Sequence, residues 1–198
     1  MCDKAKKARG KFGDRKGQYQ IPGLPPYHRV VVDGYGGQKS FECKTFGGAV
    51  GGYIFCCDVT GAVDTKLYSS KDQFPRLLEK YLLEVIAKDY CVRVLVMDTD
   101  QVQISKSEVE PILAEYGCVL YLSSAGTPQE NGLAENTVRR LKEGIRALVL
   151  GAPHVHKNRW GLAALYYCKI MFVLKIKSNG DKTPYYCVHK RSIQRNRS

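Results

Sequence analysis

Three short runs rich in β-branched and aromatic residues precede the first helical stretch, and from there helix-like and strand-like segments alternate. Residues 29–33 form a β-branched run that closes on an acid, and Gly34-Tyr35-Gly36-Gly37 is expected to stop it. Residues 51–58 and 62–68 read as two further strands joined at Val59-Thr60-Gly61, a hairpin-rich meander. In residues 71–88, Phe74, Leu77, Leu78, Tyr81, Leu82, Val85 and Ile86 share one stripe at helical spacing. A buried strand over 92–97 follows, then a short helix over 108–116, with Pro111 tolerable in its first turn. Residues 118–122 read as a fifth strand, and 123–132 as a polar, turn-rich loop. From about Asn131, the steps between Ala134, Val138, Leu141, Ile145 and Leu148 define an apolar helix face that ends before Gly151. A last helix over 158–176 carries the only tryptophan, Trp160. This order predicts an α/β domain built on a mixed five-stranded sheet flanked by helices.

Around that core the expected division is a basic arm and linker over 1–27, a folded domain over 28–176 and a basic tail over 177–198. The 198 residues, 44% hydrophobic and 25% charged, suit one globular core. No apolar run approaches the length of a membrane span, and the basic start lacks the apolar segment of a secretory signal. The expectation is an intracellular protein, nuclear or cytoplasmic, with no membrane partner. None of the eight cysteines forms a Cys-x-x-Cys pair, and small buried hydrophobes kept reduced are the simplest account of them.

Charge is distributed unevenly. Residues 1–29 hold 8 Lys/Arg against 2 Asp/Glu, residues 136–198 hold 14 against 2, and the centre holds 9 against 15. An acidic middle between basic flanks suits a site that gathers carboxylates for cations while its surroundings attract a polyanion. Three acids stand at locally odd places: Asp33 and Asp98 each at a strand end, and Glu135 at a helix start. Each alone reads equally well as a turn former.

The residues Thr127-Pro128-Gln129-Glu130-Asn131-Gly132-Leu133-Ala134-Glu135 closely resemble the integrase motif of retroviruses and retrotransposons, in which Thr-Pro-Gln-Gln-Asn-Gly-Val-Ala-Glu delivers a catalytic glutamate. Glu130 departs from the second glutamine, and Ala125-Gly126 stands where the family shows Pro-Tyr. Val32-Asp33-Gly34-Tyr35-Gly36 resembles the family's first catalytic aspartate segment, and Asp58 matches a structural acid. Cys2 with Lys4, Lys6, Lys7 and Arg9 looks like the last zinc cysteine and basic tail preceding such cores. Trp160-Gly161-Leu162-Ala163-Ala164 and Lys182-Thr183-Pro184-Tyr185-Tyr186 resemble segments typical of copia-type retrotransposon integrases. The family's usual spacing to the glutamate falls on Thr99, between Asp98 and Asp100. Asp98 is favoured because it ends the run 92–97 directly.

The resemblance implies a ribonuclease H-like fold and a Mg2+-dependent (or Mn2+-dependent) DNA integrase working as a homo-oligomer. Asp33, Asp98 and Glu135 would be catalytic residues and metal ligands, and Gln129 and Asn131 DNA contacts. Water would trim the element's ends, and the exposed 3′-hydroxyl would then attack target DNA. Hard oxygen ligands from separate elements are what Mg2+ needs for phosphodiester transfer. The alternative is an inactive or domesticated relative that binds DNA or a partner without cleavage. Helical geometry adds that Glu135, Arg139, Lys142 and Arg146 share a face opposite the apolar stripe, a cationic rail leading from the acid toward DNA. His154 with His156 reads as an exposed turn, and Tyr185 with Tyr186 as packing in the tail.

Overall fold

The computed structural model describes residues 23–36, 43–98, 106–123, 128–177 and 180–195, with side chains left out at 106, 128–131 and 190–195. The five strands are β1 (Arg29–Gly36), β2 (Gly51–Cys57), β3 (Val63–Tyr68), β4 (Val94–Asp98) and β5 (Val119–Ser123), in the spatial order β3-β2-β1-β4-β5. β1, β2 and β3 pair antiparallel, whereas β4 runs parallel to β1 and β5 parallel to β4. Every residue of β2 is buried, as expected of a strand covered on both faces. The expected stop after Asp33 does not occur. β1 continues through Gly34 to Gly36 because β2 keeps pairing with it as far as Gly36 opposite Gly51.

The helices are α1 (Phe74–Ile86), α2 (Lys106–Glu115), α3 (Pro128–Leu150), α4 (Trp160–Val173) and α5 (Pro184–Arg195). Alternation along the strands divides the core in two. Val30, Val32, Phe55, Leu95 and Met97 pack with Phe74, Leu78, Tyr81, Leu82 and Val85 of α1 and with Val109 and Leu113 of α2. On the opposite face, Val31, Tyr35, Ile54 and Val96 pack with Ala134, Val138, Leu141 and Ile145 of α3 and with Trp160, Ala164, Cys168 and Met171 of α4. The helical stripes read from sequence are therefore the buried stripes, except at their C-terminal ends, where Ile86 is exposed and Leu148 only half-buried. Trp160, 2% exposed, donates its indole N–H to the Cys43 carbonyl at 3.0 Å.

Several boundaries differ from expectation for identifiable reasons. The first helical stretch opens with a 3₁₀ turn, Lys71–Gln73, and α1 proper starts beside Pro75. Pro111 sits inside α2 rather than in its first turn. It lies beyond the first four amides, so its missing N–H forfeits one helical hydrogen bond, the one that would reach the carbonyl four residues back. α3 starts at Pro128 rather than near Asn131, since proline's fixed φ is suited to a first helical position. The segment expected as a basic tail contains α5. Thr183 Oγ1 accepts from the Tyr186 amide at 3.0 Å, and Pro184 follows that cap as the first helical residue. Val188 of α5 is 3% exposed, and its carbonyl accepts from the Tyr90 hydroxyl at 2.8 Å. At the other end, Tyr27 of the expected arm is 5% exposed and packs against Tyr90.

Candidate active site

Two strand registers determine where the strand-borne acids stand. In the parallel pairing of β1 with β4, Val31 lies opposite Val96. That is the last pair of the two strands, and Asp33 and Asp98 each lie two residues beyond it on these adjacent strands. Both share the sheet face of Val31 and Val96, the face that α3 covers. Asp98 is also paired with Ser123, the last residue of β5. Ser123 is 2% exposed, and its hydroxyl donates to the Met97 carbonyl at 3.3 Å, tying the ends of β4 and β5 together. Sequence reading missed this serine, although a hydroxyl residue closing an otherwise apolar strand was the available signal.

α3 begins five residues after Ser123, so it starts from the edge of the sheet at which β1, β4 and β5 all point. Glu135 is exposed in its second turn, directly after the fully buried Ala134. The open C-terminal edge of parallel strands is where α/β sheets commonly hold ligands. Asp33 and Asp98 thus stand near the C-terminal ends of adjacent parallel strands, and Glu135 lies in the second turn of α3.

Convergence to a closed cation cage is not reached. Among the described residues, no group of three or more His, Cys, Asp or Glu stands close enough to hold a metal ion. Asp33 and Asp98 are half-buried, and Asp33 Oδ1 accepts the Gly34 amide at 2.7 Å. The donor chemistry, carboxylate oxygen throughout, fits a hard divalent cation. Asp100, Ala125 and Gly126 lie outside the described residues, as does Cys2. Gln129 and Asn131 fall within the first turn of α3, and their side chains are outside what is described.

The cationic rail is present on the outer side of α3, with Arg139 and Arg146 exposed and Lys142 half-buried. Arg139 is already engaged, donating to Glu143 Oε1 at 2.9 Å and to Asn136 Oδ1 at 2.8 Å. Such exposed pairs contribute little stability and are easily exchanged for a phosphate. Asp58 stands apart from the acid pair. Burial raises its carboxyl pKa, and the nearby Arg29 acts against that shift, with Arg29 Nε 3.6 Å from Asp58 Oδ2. His154 and His156 are exposed, and His156 Nδ1 accepts the Asn158 amide at 3.2 Å, a local turn contact. Tyr185 packs against Phe172 and His189.

No protein-family model matches the chain, and no curated protein matches its sequence. Solved structures do match in fold. A chain of the simian T-cell lymphotropic virus intasome superposes with a TM-score of 0.65 at 15% identity, over 87% of this chain and 60% of that one. The HTLV-2 integrase catalytic core domain in complex with magnesium gives 0.60 at 15% identity, over 84% of this chain and 99% of that one. The catalytic core of BIV integrase gives 0.58 at 18% identity, over 86% and 99%. The fold is therefore the ribonuclease H-like α/β fold of retroviral integrase catalytic cores. This chain spans 60% of the length of the intasome chain. Among the described residues no helix is long and apolar enough to cross a membrane.

Proposed function

We propose that this chain is the catalytic core of a copia-type retrotransposon integrase that trims and joins DNA ends. The observation that supports the reading is that Asp33 and Asp98 each lie two residues beyond the last β1–β4 pair, Val31 opposite Val96, near the C-terminal ends of adjacent parallel strands. The copia subtype rests on the Lys182-Thr183-Pro184-Tyr185-Tyr186 and Trp160 segments. In this reading Asp33, Asp98 and Glu135 hold Mg2+ or Mn2+, which when bound stabilises the attacking and leaving oxygens of a phosphodiester displacement. Asp33 and Asp98 would offer carboxylate oxygens from the sheet edge, and Glu135 would offer the third from α3. Gln129 and Asn131 in the first turn of α3, with Arg139, Lys142 and Arg146 further along it, line the approach for double-stranded DNA.

The HTLV-2 core has been solved in dimeric and trimeric forms, and a homo-oligomer is proposed here too. A strand-transfer assay with labelled oligonucleotide ends, in Mg2+ and in Mn2+, tests the reading beside Glu135→Gln. Product from the wild-type chain and none from the variant is expected; no product from either in both metals would leave DNA binding without cleavage. That second reading is favoured by one observation, the lack of a closed three-acid cluster among the described residues.

A further inference from the structure

α3 and α4 do not cover the whole of their sheet face. Val31, Ile54 and Val96 on that face are at most 2% exposed, whereas Val119 and Tyr121 of β5 are 66% and 44% exposed. The pairing of Val94 with Val119 and of Val96 with Tyr121 puts both residues on the same face as Asp98. The alternate residues Leu120 and Leu122 turn to the opposite core. The exposed part of this face is therefore the β5 margin, Val119 and Tyr121, which stops short of the buried Ser123 at the level of Asp98. Tyr121 lies two residues before Ser123, the register partner of Asp98, so its ring stands about 7 Å from the level of the acids. That is close to the length one unstacked nucleotide spans.

A cation stands beside Tyr121. The Arg29 guanidinium lies 6.0 Å from the Tyr121 ring centroid, and Asp58 steadies Arg29 from the other side. On α3, Lys142 follows Glu135 by two helical turns on the same flank. An aromatic ring beside fixed cations, next to carboxylates suited to a metal, matches the chemistry of a strand of nucleic acid, with base on ring and phosphate on guanidinium.

We infer that Tyr121 is a stacking platform for an unpaired nucleobase of the DNA end engaged at the acid edge. The inference rests on the nucleic-acid reading proposed above. The ring fixes where the strand lies, so that the neighbouring phosphodiester comes level with Asp33 and Asp98. Tyr121 is a positioning residue and takes no part in proton or metal chemistry.

The test uses the full chain and a duplex with a short single-stranded end carrying 2-aminopurine, without divalent metal so that no joining occurs. Affinity and fluorescence quenching are measured for wild type, Tyr121→Ala, Tyr121→Leu, Tyr121→Phe and Tyr121→Trp, and thermal unfolding checks each fold. Losing one base–aromatic stack weakens binding by about 5- to 100-fold. Tyr121→Ala and Tyr121→Leu are expected to lose that much together with the quenching, while Phe and Trp retain both. Wild-type affinity and quenching in the Ala and Leu variants would overturn the inference. So would a Phe variant as weak as Ala, which would make the hydroxyl the contact, or an effect on self-association alone, which would make the β5 margin an interface between copies. Quenching through Tyr121 in a chain that joins no DNA ends would remove the enzyme reading and leave this one standing. Normal joining with unaltered binding by Tyr121→Ala would do the reverse.

Discussion

Thr137 Oγ1 of α3 lies 3.7 Å from Cys56 Sγ of β2 and donates to the Leu133 carbonyl of its own helix at 2.7 Å, so this side chain bridges α3 and the sheet. Cys56 is paired with Val31, so the contact sits two strand positions below Asp33 and two helix positions beyond Glu135. Thr137→Val keeps the side-chain shape and removes the polar contact. It is expected to lower stability by about 1 kcal/mol and to lower the strand-transfer rate constant more than DNA affinity. Urea titration and single-turnover joining measure the two effects.

Gly144 of α3 is pressed against the Tyr167 ring, and an added methyl group would overlap the ring. In an open helix position, Ala would be favoured over Gly by about 1 kcal/mol. Here the overlap reverses the sign, and Gly144→Ala is expected to destabilise by about 1–3 kcal/mol. In a Tyr167→Ala background the same change is expected to become neutral or stabilising. Equal losses in both backgrounds would mean that the ring is not the cause.

Burial pushes the Cys56 and Cys168 thiols up to about 12 and the Cys118 thiol to about 11, against an ordinary 9.0. The folded chain therefore holds these protons more tightly than the unfolded one. That contribution to stability is fully present below about pH 9 and is lost as pH rises through 11 to 12. Denaturation midpoints are expected to fall steadily across this window. At neutral pH, a thiol reagent should label Cys43, Cys91 and Cys187, all half-buried, before Cys56 or Cys57.

Asp98 ends β4 opposite Ser123, and Asp100 lies beyond the described strand. Asp98→Asn is expected to abolish strand transfer, and Asp100→Asn to leave most of it. Loss of a residue that merely supports a metal ligand costs about 10- to 100-fold, and loss of a ligand itself costs more. Abolished activity in Asp100→Asn with retained activity in Asp98→Asn would reassign the second acid.

The strands and the major helices were legible because their periodicities are burial patterns: the stripe from Phe74 to Val85 packs inward, with Ile86 at its end exposed, and so does the one from Ala134 to Ile145. The start of α3 was not legible, because Gln129, Glu130 and Asn131 have no apolar period and Pro128 had to be weighed as a first helical residue. α5 was hidden by its lysines and arginines, although Thr183-Pro184 is a sound start signal. Strand order was out of reach for a different reason. Nothing local in the Arg29 or Val94 runs states that they lie side by side, and the placing of Asp33 and Asp98 on adjacent strands depends on that pairing. Tyr121 looked like one more strand aromatic until the sheet margin left its face uncovered.

Because α3 is laid down only after β5 has taken its place, the candidate site is completed late along the chain. A product of interrupted synthesis or proteolysis that ends before Pro128 keeps two acids and lacks the third. If the proposed integrase reading holds, such fragments lack the third acid and are expected to join no DNA ends, so activity is tied to completion of the chain through α3.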